Sequence, residues 1–151
     1  MSIIIQREPL GDRIQEMAPM LVEHWKEVAM YQDEIPLDPD WDFYASVDDL
    51  GVLQTFTCRD EGKLIGYFLF FCKSHPHYRN DNYAVNDIVY FHPDYRVAEV
   101  VPGAFRRVEN ILKAEGFSVV TYHMKVHKPW HKLMEGLNYD HAEHLYSKLL
   151  K

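Results

Sequence analysis

The spacing of apolar residues along the chain predicts four helices. Helical periodicity indicates a first helix over residues 14–28, with Asp12 as its cap and Pro19 inside it, where proline kinks or splits a helix. A short second helix follows Asp38 or Asp40, either of which can cap it. An amphipathic helix over 103–115 ends at Gly116, and a fourth covers 128–136.

Apolar and alternating runs between these helices predict strands. They cover residues 3–8, 53–59, 63–72, 83–91, 118–124 and 139–150, the last as one strand or a strand pair, while the polar residues 73–82 indicate a loop. The elements together predict a mixed α/β (α+β) fold, with a central sheet of about six to seven strands flanked by about four helices. We expect one domain over residues 1–151.

Composition narrows the classes of function. No apolar run reaches the roughly 18 to 20 residues that span a bilayer, and the first residues lack the basic flank of a signal peptide, so we predict a cytoplasmic protein without a membrane partner. The net charge of −7 argues against a nucleic-acid partner. Cys58 and Cys72 lack metal or redox spacing and indicate reduced, buried thiols.

Acidic residues are concentrated in one segment. Residues 33–49 contain seven carboxylates and no Lys or Arg. Such a segment is either a solvated face or a docking surface for a cationic partner. The tryptophans Trp25, Trp41 and Trp130 are expected to lie in the core or to line a groove, with a protein-binding role as the alternative.

Residues 85–116 give the strongest indication of chemistry. An apolar strand runs through a His-Pro-Asp-Tyr-Arg turn and a short linker into the amphipathic helix. The first backbone N–H groups of a helix lack partners and point one way, which forms an anion site. A diphosphate would fit there.

This layout resembles the acyl-CoA pyrophosphate loop of the GNAT superfamily of N-acetyltransferases. The resemblance extends over nearly the whole chain and is sharpest at GKLIGYFLFF, NDIVYFHPDYR and LMEGLNYDHAEHLYSKLL. The segments HW-x-E, PLDPDW and HPHY resemble small GNAT-like proteins carried by bacteriophages. A phage-encoded protein would act in the host cytoplasm.

The resemblance implies acetyl-CoA as cofactor and a set of residues that hold it. These are Tyr90, Arg96, Val97, Ala98, Glu99, Val100, Val101 and Gly103. Glu99 and Val101 stand where the family has small residues, and Pro102 is expected at the first helical position. A carboxylate within about 4 Å of a phosphate would cost about 1 to 4 kcal/mol, so Glu99 is the most serious departure.

The resemblance also suggests catalytic residues. Asp87 is the candidate base, and its alternative role is a buried strand carboxylate bonded to loop backbone. Met134 stands where the family has a tyrosine acid, so Tyr122, Tyr139 and His127 are substitutes, each weighed against ordinary packing or surface roles. No metal site is expected, because the histidine-rich segments lack convergent ligands with zinc spacing.

Three functions remain open at this point. The first is transfer of an acetyl group to a primary amine of a protein lysine, an N-terminus or a small molecule. The second is a GNAT scaffold with a decayed loop that binds a host protein, as a phage modulator would. The third, compatible with either, is homodimerisation through the final strand or a sheet edge, so that the protein is a monomer or a homodimer.

Overall fold

A five-stranded mixed sheet forms the centre of the computed structural model, which describes residues 2–151. Its strands are β1 (Ile3–Arg7), β2 (Leu53–Asp60), β3 (Lys63–His75), β4 (Tyr78–Phe91) and β5 (Val119–Thr121). They lie in chain order across the sheet, and every neighbouring pair is antiparallel except β4 and β5, which are parallel. The parallel pair needs a crossover, and a helix between the two strands provides it.

Four helices flank the sheet, as predicted. They are α1 (Ile14–Val28), α2 (Trp41–Asp49), α3 (Val100–Ala114) and α4 (His131–Gly136). Helix α1 passes through Pro19 without a break, so the predicted split does not occur, and no side chain caps its start. Asp40 caps α2 by accepting a hydrogen bond from the Phe43 N–H at 2.9 Å.

Both faces of the sheet are covered, because β3 supplies buried side chains to each in alternation. Phe68 and Phe70 pack with Phe105 of α3 on one face, whereas Tyr67 and Leu69 pack on the other face against α1 and α2. A strand buried on both sides needs apolar residues at every position. This explains the unbroken apolar run in the middle of β3.

The hairpin of β3 and β4 is longer than predicted. Most of residues 73–82, predicted as a loop, continue both strands, with Lys73 opposite Tyr83 and Ser74 opposite Asn82, and only residues 76–77 form the turn. The hydrogen bonds between the two strands join backbone groups and do not depend on the side chains. The strands therefore extend past the core even where the side chains are polar and exposed.

The sheet has five strands, so the predicted six to seven are wrong. Residues 137–151 form neither strand nor helix, and Leu145, Tyr146 and Leu150 are 84%, 89% and 90% exposed. Alternating apolar and polar residues show that a segment can form a strand, but a strand also needs a free edge of a sheet to pair with. Strand β5 has only three residues and offers little edge to the C-terminal segment.

Two further predictions concern composition. Cys58 and Cys72 are buried and free, as expected, and burial raises the pKa of the Cys72 thiol to about 12. No helix in residues 2–151 combines the length and the apolar character needed to cross a membrane.

Candidate active site

A cavity lies where β4 and β5 separate. The two strands pair only over residues 83–85 and 119–121. Beyond that point a cavity of about 790 Å³ is lined by residues 86–91 of β4 on one side and by residues 123–125 and 127–130 on the other. Its volume falls within the range of about 300 to 1,000 Å³ that is usual for small-molecule sites. We call it the first cavity.

A β-bulge in β4 places Asp87 in the wall of this cavity. Leu69 pairs with Ile88 and Phe70 pairs with Asn86, which leaves Asp87 as the extra residue. The buried Asn86 side chain fixes the bulge by donating to the carbonyls of Leu69 at 3.1 Å and Ile88 at 3.0 Å. Bulges of this kind re-aim a side chain next to a functional site.

The Asp87 carboxylate has a side-chain partner in α2. Tyr44 Oη donates to Asp87 Oδ2 at 2.6 Å. The partner of Asp87 is therefore a tyrosine side chain and not the loop backbone of the alternative expectation. Burial, followed by the bond to Asp87, raises the pKa of Tyr44 above its ordinary value. Tyr44 therefore stays protonated and donates to the carboxyl group of Asp87.

The three candidate acids lie in different surroundings. His127 is exposed and lines the first cavity. Tyr122 and Tyr139 are not among the lining residues. Tyr122 packs edge-on against Phe70, its hydroxyl makes no hydrogen bond to any described residue, and burial raises its pKa. Tyr139 Oη donates to Glu109 at 2.7 Å.

Residues 96–99 connect β4 to α3, and we call them the 96–99 loop. Three consecutive backbone N–H groups in this loop have no hydrogen-bond partner among the described residues. Within residues 2–151, the N–H groups of Val97, Ala98 and Glu99 donate to no backbone or side-chain acceptor. Ala98 has a left-handed φ of 42°. Successive unpaired N–H groups around a left-handed residue make a concave site for anions. Ala98 itself lines the first cavity.

Arg96 is tied to α1. Its two terminal nitrogens each donate to a Glu27 carboxylate oxygen at 2.7 Å, and Nε donates to the Phe91 carbonyl at 2.8 Å. The guanidinium carbon lies 5.1 Å from the centre of the Tyr90 ring. The hydrogen bonds from Arg96 hold the pKa of Glu27 below its ordinary value. Arg96 thus faces a carboxylate as well as the cavity.

Glu99 is placed less harmfully than the sequence suggests, and Pro102 lies later in α3 than predicted. The Glu99 side chain is 79% exposed, forms a salt bridge with Arg106 and does not line the first cavity. Helix α3 begins at Val100, so Pro102 is its third residue and not its first. Because the first turn has no intrahelical acceptor for its N–H groups, proline costs the helix nothing there.

The other predicted cofactor residues divide into two groups. Tyr90 and Val101 line the first cavity, whereas Val97, Val100 and Gly103 do not. A Cβ on Gly103 would meet no atom within 4 Å, so the structure does not require glycine at that position.

The sequence alone did not assign His24 or Glu27 to the site, although both line the first cavity. His24 is buried, stacks on Tyr90 with ring centres 4.9 Å apart, and lies with Nδ1 3.1 Å from Tyr67 Oη. Burial lowers the pKa of His24 to about 4. Their i, i+3 spacing on α1 puts them on one helix face, which was the available indication.

The charges around the first cavity favour an anion. Among its described lining residues, Arg96, Lys125 and Lys128 are cationic, whereas Glu27 and Asp87 are anionic. A cationic excess in a chain with a net charge of −7 is a local feature, and it lies beside the unpaired N–H groups of the 96–99 loop. A local excess of one sign raises the concentration of ligands of the opposite sign, and here the excess is carried by Lys125 and Lys128, because Arg96 is paired with Glu27.

Several solved structures with a similar fold carry the name of an acetyltransferase. A ribosomal-protein-alanine N-acetyltransferase from Brucella melitensis biovar Abortus 2308 superposes with a TM-score of 0.75 and 18% identity, over 100% of this chain and 98% of that one. A predicted acetyltransferase from Clostridium acetobutylicum, solved with acetyl-CoA, superposes with a TM-score of 0.70 and 11% identity, over 99% of this chain and 97% of that one.

An aminoglycoside acetyltransferase from an uncultured soil metagenomic sample, in complex with sisomicin, gives a TM-score of 0.73 and 12% identity, over 97% of this chain and 96% of that one. A scan against protein-family models finds no match, and neither does a comparison with curated protein sequences. The identities are low and the coverage is nearly complete, so the likeness concerns the fold. The chain has the GNAT fold of these acetyltransferases.

Proposed function

We propose that the protein is an N-acetyltransferase that uses acetyl-CoA to acetylate a primary amine. The observation that carries this proposal is the 96–99 loop. Its three unpaired N–H groups are centred on Ala98, which lines a cavity between two separated strands, and that cavity has a cationic excess around it. An anionic, elongated acyl carrier is the class of ligand that this arrangement suits.

The residues present fit acetyl-CoA. The backbone of Val97, Ala98 and Glu99 would hold the diphosphate, and Lys125 and Lys128 would add charge. Residues 86–91 of β4 have no partner on the β5 side, so backbone groups on that edge would bond the amides of the cofactor arm. When bound, the cofactor supplies an activated acyl thioester.

Asp87 would remove the proton from the acceptor ammonium group. The Tyr44 hydroxyl stabilises the charged carboxylate before the proton arrives and orients it toward the first cavity. His127, exposed on the other wall, would donate a proton to the departing sulfur. Tyr122 and Tyr139 are weaker candidates, because neither lines the cavity.

The alternative is a GNAT-fold protein without catalysis that binds a host protein. Its sequence support came from Glu99, Val101, Pro102 and Met134. Glu99 is paired with Arg106 outside the cavity, Pro102 lies in the first turn of α3, and Met134 is a buried core residue. Val101 lines the cavity, so its β-branched side chain remains the one difference from the family's small residues that could obstruct the cofactor. These placements favour the enzyme.

A turnover assay tests the proposal. Thiol release from acetyl-CoA is followed with a panel of primary amines and lysine peptides, with the wild type, Asp87→Asn and the control Asp42→Asn, whose side chain is exposed on α2. General base catalysis contributes about 100-fold or more, so Asp87→Asn should lose that factor in kcat while Asp42→Asn stays near wild type. No thiol release with any amine would reject the enzyme, and an unchanged Asp87→Asn rate would reject the base.

A further inference from the structure

A second cavity adjoins the first. It has a volume of about 330 Å³ and is formed by α1, the connection from α1 to α2, the start of α2, and residues of β3 and β4. Ile88 lines both cavities. Trp25, Met30 and Trp41 give the second cavity an aromatic and aliphatic lining, and among its described lining residues only Asp38 is charged.

Two hydrogen-bonding pairs join the walls of the two cavities. Tyr44 lines the second cavity and donates to Asp87, which lines the first. Tyr67 of the second cavity lies 3.1 Å from Nδ1 of His24 in the first. A group held in the second cavity is therefore next to Tyr44, the residue that donates to the carboxylate proposed as the base.

We infer that the second cavity binds the acceptor, and that the acceptor is a primary amine carried on an aromatic or aliphatic group. That the bound amine is an acetyl acceptor rests on the proposed function. That the second cavity binds such an amine does not depend on it. Its chemistry follows from the lining: an apolar body contacts the tryptophans, and the ammonium group pairs with Asp38, the one charged residue among the described lining residues.

The apolar lining sets the selectivity. A strongly hydroxylated amine would bury hydroxyl groups without partners there, and each would weaken binding about 5- to 150-fold. Indole rings such as those of Trp25 and Trp41 instead offer large apolar faces and attract cations. The surrounding segment 33–49, with seven carboxylates and no Lys or Arg, draws cations toward this side of the molecule.

Direct binding to the protein tests this without turnover. We would titrate 2-phenylethylamine, ethanolamine and the uncharged 2-phenylethanol, each with and without CoA, by calorimetry and by tryptophan fluorescence. The phenylethylamine should bind at least about tenfold more tightly than ethanolamine, because only its ring can occupy the apolar lining. It should also change tryptophan emission, since Trp25 and Trp41 line the cavity.

Matched variants separate charge from folding. Asp38 and Asp42 are both exposed, but only Asp38 lines the second cavity. Asp38→Asn should weaken phenylethylamine about fivefold, which corresponds to the roughly 1 kcal/mol of one charge contact near water. It should leave 2-phenylethanol unchanged, and Asp42→Asn should leave both unchanged. Trp41→Ala, checked for folding by circular dichroism, should weaken both ring compounds.

Equal affinity for ethanolamine and phenylethylamine, or no binding of either amine with and without CoA, would overturn the inference. An Asp38→Asn variant that binds phenylethylamine like the wild type would overturn the assignment of the ammonium position. CoA titrated alone into the same samples reports on the first cavity. CoA binding without amine selectivity therefore rejects this inference only, whereas amine selectivity without CoA binding rejects the proposed cofactor only.

Discussion

Arg96 and Glu27 form an ion pair through two hydrogen bonds of 2.7 Å, which join the 96–99 loop to helix α1. The pair has a structural consequence, because it holds the loop that presents the unpaired N–H groups. It also has an electrostatic one: much of the Arg96 charge is neutralised before any anion binds. The backbone of the 96–99 loop and the two lysines must then carry most of the attraction for a diphosphate.

Glu27→Gln should tighten CoA binding while slightly lowering stability. The substitution leaves the Arg96 charge unneutralised beside the first cavity, and one charge contact near water is worth about 1 kcal/mol, or roughly fivefold in affinity. The stability loss should stay below about 1 kcal/mol, because the pair is partly exposed and screened. Calorimetry at low and high salt measures the first effect, and urea unfolding the second.

Glu23→Gln is the matched control. Glu23 lies on the same helix and pairs with Lys26 at 2.9 Å, but it does not line the first cavity. The CoA affinity of the Glu23→Gln variant should equal that of the wild type. A Glu27→Gln protein that binds CoA no better than Glu23→Gln would contradict the electrostatic role given to this pair.

Glu99→Gln should hardly change CoA affinity. The Glu99 side chain is 79% exposed, its charge is offset by Arg106, and it does not line the first cavity. We expect the dissociation constants of variant and wild type to agree within about threefold, whereas a carboxylate in contact with phosphate would give one to three decades of tightening on removal. Parallel titrations of both proteins decide between the two placements.

Ala98→Gly should stabilise the protein without weakening CoA. Ala98 has a φ of 42°, a conformation that costs a non-glycine residue about 1 kcal/mol or more. Glu61→Gly, at a φ of 48° in the turn between β2 and β3, is the control for the same backbone effect away from the cavity. Both variants should raise Tm by about 2 to 4 °C. If Ala98→Gly abolished CoA binding, the assigned loop geometry would be wrong.

His24 should make stability depend on pH between about 6.5 and 4.5. Burial lowers its pKa to about 4. The unfolded chain, with a histidine pKa near 6.5, therefore binds more protons in this window, and stability falls as pH falls. The loss should be on the order of 2 kcal/mol by pH 4.5, since each pKa unit corresponds to about 1.4 kcal/mol.

Urea unfolding of His24→Gln and His127→Gln across this range measures the effect. Glutamine at position 24 does not titrate and should flatten the pH dependence, while the exposed His127 should be replaceable without effect on it. The carboxylates of Glu8 and Glu27 have lowered pKa values, so they lose their stabilising effect only at more acid pH. An unchanged slope in His24→Gln would contradict a buried, neutral His24.

The apolar pattern predicted most of the fold because burial governs it. The run in β3 and the stripe of Phe105, Val108 and Leu112 on α3 face the core as their spacing indicates. The predicted sixth strand failed because pairing depends on an edge elsewhere in the chain. Likewise, a polar hairpin end such as Ser74 opposite Asn82 is held by backbone bonds that composition does not report.

The site was less predictable because it depends on long-range pairs. The family resemblance suggested Asp87 as a candidate base on the central strand, but its partner Tyr44 lies 43 residues away in sequence. The pairing of Arg96 with Glu27 spans 69 residues. Local spacing contains no information on such contacts, and the same holds for the exposed orientation of Glu99.

Calorimetric titration of the purified protein with acetyl-CoA, and separately with CoA, tests the central claim most directly. The unpaired N–H groups of the 96–99 loop and the cationic lining of the first cavity predict saturable binding of both ligands in the micromolar range at moderate salt. No heat and no thermal shift at millimolar concentrations of either ligand would contradict the assignment of this cavity as an acyl-CoA site.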